Sequence, residues 1–358
     1  MISPHCFEKE WIASFRKQEP YKKINPPLLE KMIHALSLLQ HLQTQGLNFI
    51  FKGGTSLILL LQDANRFSVD IDIITEADRE TIEQVLDRVV TASHFTGWKL
   101  DEKRSYKAGV PKAHYELSYA SNLNQSSNYI LLDILFDKAH YSVIHQSPIQ
   151  TKWIETTSII HINTPSIEAI TGDKLTAFAP TTTGILYGKG KELEIIKQLY
   201  DLGKLFDQVV NVKDVFETFQ AFAIQELHYR GLNISTNEIL QDTLNTCRII
   251  AFRERSKNQP DKSYFLELQK GILSFNHFLI SGHFRLEDAI NSSAKIAYLC
   301  ARLLAGNTNA LEKYQNEDIS DWLINNQEWN SLNRLKKFAD PSAFYYWYKA
   351  LETMGLLE

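Results

Sequence analysis

The first part of the chain alternates between helical and extended hydrophobic patterns. Apolar residues at helical spacing follow Pro26 and Pro27, and they predict a helix that ends near Gly46. Two further helices are predicted, one from Thr55 onward and one over residues 78–93. Short apolar runs between turn residues predict strands over residues 48–51, 69–74, 98–101, 114–119 and 129–136. These elements indicate a mixed α/β core with a sheet of about five strands.

The pattern changes after Thr164, Pro165 and Ser166, beyond which helical periodicity dominates. Helices are predicted over residues 167–178, 191–206, 212–226, 236–253, 263–278, 286–304 and 341–354. We therefore expect an α+β protein with a mixed-sheet core over residues 1–165. A largely helical domain over residues 166–358 is expected to follow it.

Composition narrows the class of protein. The chain has 358 residues, enough for one large or two moderate domains. No apolar run approaches the roughly 20 residues that span a bilayer, and the N-terminus lacks the pattern of a signal peptide. Cys6, Cys247 and Cys300 are isolated from one another, and no histidine motif supports a zinc site. We expect a cytoplasmic protein with no membrane segment.

The charge pattern leaves nucleic-acid binding open. A net charge of -4 argues against a surface that is basic throughout, although a local patch can still contact phosphates. Basic residues form three groups, each of which is also typical of a solvated helix face. The groups are Lys189, Lys191 and Lys197; Arg248, Arg253, Arg255 and Lys257; and Arg334, Lys336 and Lys337.

Two aspartates on one predicted strand are the first candidate for chemistry. Side chains alternate along a strand, so Asp70 and Asp72 should share a face, with Cα atoms roughly 6.5–7 Å apart. Two like charges about 6 Å apart repel by roughly 3 kcal/mol at an effective dielectric near 20, which favours a cation between them. Hard oxygen ligands select Mg²⁺ or Mn²⁺. A solvated strand end is the alternative explanation for such a pair.

Neighbouring residues strengthen the prediction of a metal–phosphate site. Gly53 and Gly54 would let a phosphate approach the backbone, and a helix starting at Thr55 would direct N–H groups at it. An ordinary strand-to-helix turn also favours glycine. Asp133 is a single acid within an apolar strand, where an unpaired charge is costly, so it is the predicted third metal ligand.

Together these residues resemble the AbiEii/AbiGii toxin family, bacterial nucleotidyltransferases of the DNA polymerase β-like superfamily that include the MenT toxins. The similarity begins with Lys-Gly-Gly-Thr-Ser-Leu at residues 52–57 and Arg-x-Ser-x-Asp-Ile-Asp at residues 66–72. It continues with Thr-Pro-Ser-Ile-Glu-x-Ile-x-x-Asp-Lys-Leu-x-Ala at residues 164–177. Leu-Tyr-Asp-Leu at residues 199–202 resembles the later aspartate motif of the family. The four blocks span roughly residues 48–207.

The resemblance implies roles for the residues of the first two blocks. Asp70 and Asp72 would hold Mg²⁺ (or Mn²⁺) and the nucleoside triphosphate. Gly53, Gly54 and Thr55 would contact the phosphates.

Roles for the remaining matching residues follow from the same resemblance. Arg66 and Ser68 would support the phosphate loop. Lys174 would neutralise charge on the triphosphate, and Asp201 would lie close to Lys174 as an orienting partner or substrate contact. The chain departs from the family before the last motif, where an arginine–aspartate pair is common and residues 198–199 are Gln-Leu. The resemblance therefore assigns no supporting role to those two positions.

The expected reaction is in-line attack of a hydroxyl on the α-phosphate of a nucleoside triphosphate, with release of pyrophosphate. The resemblance implies the toxin of a toxin–antitoxin or phage-defence system, with a cognate antitoxin and with the tRNA 3′ end as acceptor. Two alternatives stay open. One is transfer to a protein or small molecule, and the other is a non-catalytic nucleotide-binding scaffold.

Overall fold

The computed structural model describes residues 1–61, 64–106, 109–255 and 258–357. The chain forms two compact units. The first comprises Met1–His140, Ile144–Ser166 and His277–His283. The second comprises Tyr141–Val143, Ile167–Asn276 and Phe284–Glu358.

Within the described residues, the first unit contains one mixed sheet of seven strands. The strands are β1 Ile50–Lys52, β2 Ile71–Thr75, β3 Gly97–Leu100, β4 Lys112–Ala120, β5 Ser127–Phe136, β6 Ile144–Pro148 and β7 His161–Pro165. Their order across the sheet is β3-β4-β5-β2-β1-β7-β6. All five predicted strands are present, but the expected size of the sheet was wrong because β6 and β7 were missed. Four of the five residues of β6 are exposed, so this edge strand lacks an apolar alternation.

The helices of the first unit flank this sheet. They are α1 Lys9–Ser14, α2 Pro26–Thr44, α3 Gly53–Leu60, α4 Arg79–Ala92 and α5 Glu102–Ser105. α2 starts at two prolines, and the Asn25 side chain caps it by accepting a hydrogen bond from the Leu28 amide. Buried residues of α2, α4 and alternate positions of β2, β4 and β5 form one hydrophobic cluster. One face of the sheet is therefore its core face.

Strand alternation assigns the other residues to the opposite face. Ile71 and Ile73 of β2 are buried in the core cluster, as are Leu132 and Ile134 of β5. The residue between each pair is an aspartate of intermediate burial. The hydrophobic pattern of these strands therefore fixes two carboxylates on the face away from α2 and α4.

The second unit is helical. Its helices are α6 Ile167–Ala177, α7 Glu192–Gln208, α8 Val212–Arg230, α9 Thr236–Phe252, α10 Gln259–Phe275, α11 Leu286–Leu304 and α12 Ser342–Thr353. Every predicted helix after residue 166 is present, and the α+β class is confirmed. No helix in the described part of the chain is long and apolar enough to cross a membrane.

Candidate active site

A row of polar side chains crosses four adjacent strands of the sheet. Lys52 on β1 is the register partner of Asp72 on β2. Asp72 pairs with Asp133 on β5, and Asp133 pairs with His114 on β4. Register partners in neighbouring strands point to the same face, so these four side chains lie side by side. The structure therefore brings together two of the three predicted metal ligands, on strands that are 61 residues apart along the chain.

Asp133 is held by two basic groups. Its Oδ1 lies 2.5 Å from His114 Nδ1, and its Oδ2 accepts a 3.4 Å hydrogen bond from Arg104 on α5. The His114 side chain is 9 % exposed, whereas that of Arg104 is 44 % exposed, so the histidine contact is much the better shielded from water. We did not predict either residue from the sequence. The sequence does contain a clue to His114, because this polar residue lies between Ala113 and Tyr115, which are both buried.

Gly53 makes room for the Asp72 carboxylate. Its φ is +74°, in the left-handed region that favours glycine. A Cβ at this position would lie 2.1 Å from Asp72 Oδ2 and 2.7 Å from Asp72 Cγ, far inside van der Waals contact. The glycine predicted to approach a phosphate is therefore packed directly against a predicted metal ligand.

Gly54 likewise leaves room for the side chains of Arg66 and Ser68. A Cβ on Gly54 would lie 2.4 Å from a terminal guanidinium nitrogen of Arg66 and 3.0 Å from Ser68 Oγ. Arg66 is 6 % exposed and donates a 3.1 Å hydrogen bond to the carbonyl of Phe67. The structure thus brings both residues against the glycine loop that they were predicted to support.

Thr55 joins the loop to Asp70. The Thr55 hydroxyl donates a 2.6 Å hydrogen bond to the Asp70 carbonyl, and its side chain is fully buried. Asp70 itself directly precedes β2, which begins at Ile71 rather than at residue 69. Because α3 starts at Gly53, the amides of Gly53, Gly54 and Thr55 belong to its first turn and have no acceptor within the helix. The Thr55 backbone amide is therefore free of a helical acceptor, while its side chain holds the residue that precedes β2.

Replacing Gly53 with alanine tests this packing. We expect Gly53→Ala to lower turnover by about 100-fold, because the new methyl group must displace the Asp72 carboxylate. The matched control is Gly46→Ala. Gly46 has a φ of +83°, but a Cβ there would meet nothing within 4 Å, so this variant carries the backbone strain without the clash. Equal losses of turnover in both variants would contradict the proposed role of Gly53.

The donor chemistry of the row suits a hard divalent cation. Mg²⁺ is commonly bound through one or two carboxylates together with substrate phosphates, and the Asp72 carboxylate lies against Gly53 with Asp133 next to it in register. Among the described residues, no group of three or more His, Cys, Asp and Glu side chains is arranged to hold a metal ion. The role of Asp133 as third ligand stays a prediction.

The second unit contains the other two predicted residues, and they form a buried ion pair. Lys174 Nζ on α6 lies 2.8 Å from Asp201 Oδ2 on α7, and the two residues are 5 % and 1 % exposed. Lys174 also donates a 3.1 Å hydrogen bond to Gln198 Oε1. Gln198, where the family motif departs, thus contacts the lysine directly. Gln198 therefore helps to position the Lys174 side chain.

Comparison with known proteins identifies the family. A family model described as "Nucleotidyl transferase AbiEii toxin, Type IV TA system" matches residues 37–277. This range covers both the carboxylate row and the lysine–aspartate pair. A comparison with curated proteins finds no match.

Two solved structures are similar to parts of this chain at low identity. JHP933 from Helicobacter pylori is 14 % identical, with a TM-score of 0.42, and the match covers 78 % of this chain and 94 % of that one. An antigenic nucleotidyltransferase-like protein from Paracoccidioides brasiliensis is 12 % identical, with a TM-score of 0.35. That match covers 59 % of this chain and 97 % of the other.

Proposed function

The chain belongs to the AbiEii nucleotidyl transferase toxin family of type IV toxin–antitoxin systems, and from this premise we propose a metal-dependent transfer of NMP to RNA. Family membership makes the protein a nucleotidyltransferase toxin with a nucleoside triphosphate substrate and an antitoxin partner. The finer proposal is that Mg²⁺ (or Mn²⁺) is the cofactor and that the tRNA 3′ end is the acceptor. The pairing of Asp72 with Asp133 beside the Gly53 loop is the observation that supports the cation, and family membership supports the transfer reaction.

We propose roles for the two aspartates and for the glycine loop of the first unit. Asp70 and Asp72 would hold the cation, which when bound would polarise the α-phosphate and balance charge on the leaving pyrophosphate. The first-turn amides of Gly53, Gly54 and Thr55 would bind phosphate oxygens. In this proposal, side-chain oxygens bind the cation and backbone N–H groups bind the phosphate anion.

The proposed reaction is a single displacement at the α-phosphorus. The acceptor hydroxyl oxygen attacks the α-phosphorus, the bond from that phosphorus to the α,β-bridging oxygen breaks, and pyrophosphate leaves. Asp133, on the same face as Asp72, would be the third ligand of the cation, and the hydroxyl proton would pass to solvent. Lys174 would supply positive charge to the triphosphate. Two of its three N–H donors are used by Asp201 and Gln198, so among the described contacts one remains for a phosphate oxygen.

A cluster of guanidinium groups in the second unit supports RNA as the acceptor. Arg334 donates to the carbonyl of Ala251, two residues before Arg253. Two basic groups that are far apart in sequence therefore meet at the end of α9. Burial lowers the pKa of Arg334 to about 10, and repulsion by Arg255 and Arg253 adds to the shift. Such a cluster is stabilised by an anion, and a phosphodiester is the anion that RNA supplies. Lys257 lies outside the described residues.

Transfer of label from each α-³²P nucleoside triphosphate to total bacterial tRNA tests the proposal. With Mg²⁺ present, we expect one nucleotide to label tRNA, and Asp70→Ala to abolish the label because a cation ligand is lost. Arg255→Glu should weaken labelling and flatten its salt dependence, since one phosphate contact is removed.

The same assay distinguishes the possible acceptors and tests whether the protein is an enzyme at all. Label on protein instead of tRNA would replace the RNA proposal with the protein acceptor. Label that survives in Asp70→Ala would contradict the assigned cation site. Absence of transfer to tRNA, total RNA, protein and small-molecule fractions, with the antitoxin removed, would favour the nucleotide-binding scaffold.

A further inference from the structure

His114 lies beside the predicted third metal ligand in the row of polar side chains. It is the register partner of Asp133, and both residues point to the face of the sheet that carries Asp72. Its neighbours on β4, Ala113 and Tyr115, are fully buried in the core cluster. Strand alternation therefore places the histidine on the polar face, next to a carboxylate. Neither the family resemblance nor the proposed reaction assigns it a role.

The backbone of β4 brings the two side chains close together. The His114 amide donates a 2.9 Å hydrogen bond to Ser105 Oγ, and its carbonyl accepts a 2.8 Å hydrogen bond from the Asp101 amide. Both backbone groups of His114 therefore point away from β5, so His114 and Asp133 form a non-hydrogen-bonded pair of the antiparallel ladder. In such pairs the Cα atoms are only about 4.5 Å apart, and the side chains approach more closely than in hydrogen-bonded pairs.

Among the described residues, the imidazole of His114 makes one polar contact, and it is with Asp133. Nδ1 lies 2.5 Å from Asp133 Oδ1, and Nε2 is buried with no hydrogen-bond partner. An ionised carboxylate can only accept, so we assign the proton to Nδ1, which donates the hydrogen bond. The side chain is 9 % exposed, so water competes little for this contact. A phenyl ring would fill much the same space without leaving Nε2 unpartnered, so packing alone gives no reason for a histidine here.

A hydrogen bond of this kind fixes the orientation of the Asp133 carboxylate. The terminal torsion of an aspartate side chain is broad, so the carboxylate needs a partner to hold one orientation. Oδ1 accepts from His114, and Oδ2 accepts the 3.4 Å hydrogen bond from Arg104. A carboxylate has about four lone-pair sites, so these two hydrogen bonds leave lone pairs for a cation. Hydrogen bonds that orient a metal ligand typically change metal affinity by about 10–100-fold when they are lost.

We propose that His114 is a positioning residue, whose Nδ1–H group holds the Asp133 carboxylate in the orientation that lets it bind the same divalent cation as Asp72. This inference rests on the proposed function, because it takes the cation site as given. His114 acts through Asp133 and does not itself touch the cation. Arg104 is less suited to this task, since its side chain is 44 % exposed and its contact with Asp133 is longer.

The Mn²⁺ affinity of the full chain, measured by electron paramagnetic resonance without nucleotide, tests the proposal. His114→Phe keeps a ring on the strand but removes the donor, and we expect the dissociation constant for Mn²⁺ to rise about tenfold. His114→Asn places an amide N–H near the position of Nδ1. This variant should therefore bring the dissociation constant back to within about threefold of the wild-type value.

His34→Phe is the matched control, because it makes the same substitution at another buried histidine. His34 is 2 % exposed, its Nδ1 lies 2.7 Å from His94 Nε2, and its ring stacks on Tyr119 of the core cluster. The control loses a buried polar contact, as His114→Phe does, but it loses it on the core side of the sheet. Its Mn²⁺ affinity should equal that of the wild type. Circular dichroism confirms that each variant is folded before affinities are compared.

Asp72→Asn separates failure of this inference from failure of the cation site. Mn²⁺ binding that weakens in Asp72→Asn but not in His114→Phe would leave the cation site in place and overturn the role of His114. A loss in His114→Phe that His114→Asn does not recover, or that His34→Phe shares, would also overturn it, because the loss would then report packing or general stability. Mn²⁺ binding that neither Asp72→Asn nor His114→Phe changes would place the cation elsewhere and overturn the cation site together with this inference.

Discussion

Replacing Lys174 with methionine is expected to lower the free energy of unfolding by about 3–5 kcal/mol, the cost of breaking a buried ion pair from one side. Lys174 and Asp201 are both almost completely buried, with 2.8 Å between Nζ and Oδ2. The variant leaves the Asp201 carboxylate without its ammonium partner in a site that water barely reaches. Urea unfolding of the wild type and the variant measures the difference.

Two further variants make this expectation specific. Lys174→Met combined with Asp201→Leu should recover most of the loss, because the double variant leaves neither charge of the pair buried. Lys213→Met is the control. Lys213 pairs with Glu217 on the same helix, the two side chains are 68 % and 50 % exposed, and removal of this pair should cost less than about 1 kcal/mol. A loss for Lys174→Met no larger than that of Lys213→Met would contradict the buried-pair interpretation.

The same pair affects how activity data should be interpreted. A variant at Lys174 that loses activity could have lost stability instead of a phosphate contact. Activity should therefore be compared at a temperature where Lys174→Met is still folded. The double variant with Asp201→Leu then separates the two effects, since it should be folded but still lack the ammonium.

The helices of the second unit could be predicted because each buries one face. α7, for example, was predicted over residues 191–206 and is observed over Glu192–Gln208. Ile195, Leu199 and Leu202 recur at helical spacing and are buried, so local periodicity carries the information. Boundaries differ by a few residues where the end of a helix depends on tertiary contacts.

Strands without a one-sided apolar pattern were not predictable in this way. β6 has the sequence Ile-His-Gln-Ser-Pro, of which Ser147 alone is buried. It lies at the sheet edge and pairs with β7 through backbone hydrogen bonds, which leave no trace in side-chain pattern. β1 was predicted because its sequence contains a short apolar run that includes Phe51. Its neighbour β7 was not predicted.

Part of the candidate site was visible in sequence and part was not. Asp70 and Asp72 are two residues apart, so alternation alone predicted that they share a face, although β2 begins only at Ile71. The contacts of Asp133 with His114 and Arg104 depend on the register between β4 and β5 and on the position of α5. Register between strands is set by packing across the whole sheet, and one sequence does not encode it locally.

Asp72→Asn is expected to lower nucleotidyl transfer by at least about 1,000-fold, which corresponds to about 4 kcal/mol of transition-state stabilisation. Asparagine keeps the size of the side chain beside Gly53, so the loop can keep its conformation, but it removes the negative charge that a divalent cation needs. Mn²⁺ affinity, measured by electron paramagnetic resonance without nucleotide, should fall together with activity.

Asp72→Asn should lose activity without losing stability. Asp72 stands between Lys52 and Asp133 in register, so neutralising it removes an attraction as well as a repulsion, and the free energy of unfolding should stay within about 1 kcal/mol of the wild type. Asp137→Asn, at the end of β5 beyond the row, is the control that should retain both activity and Mn²⁺ binding. If Asp72→Asn bound Mn²⁺ as tightly as the wild type, the cation would not be held by this carboxylate. A fall in activity would then require another cause, such as a shift of the Gly53 loop.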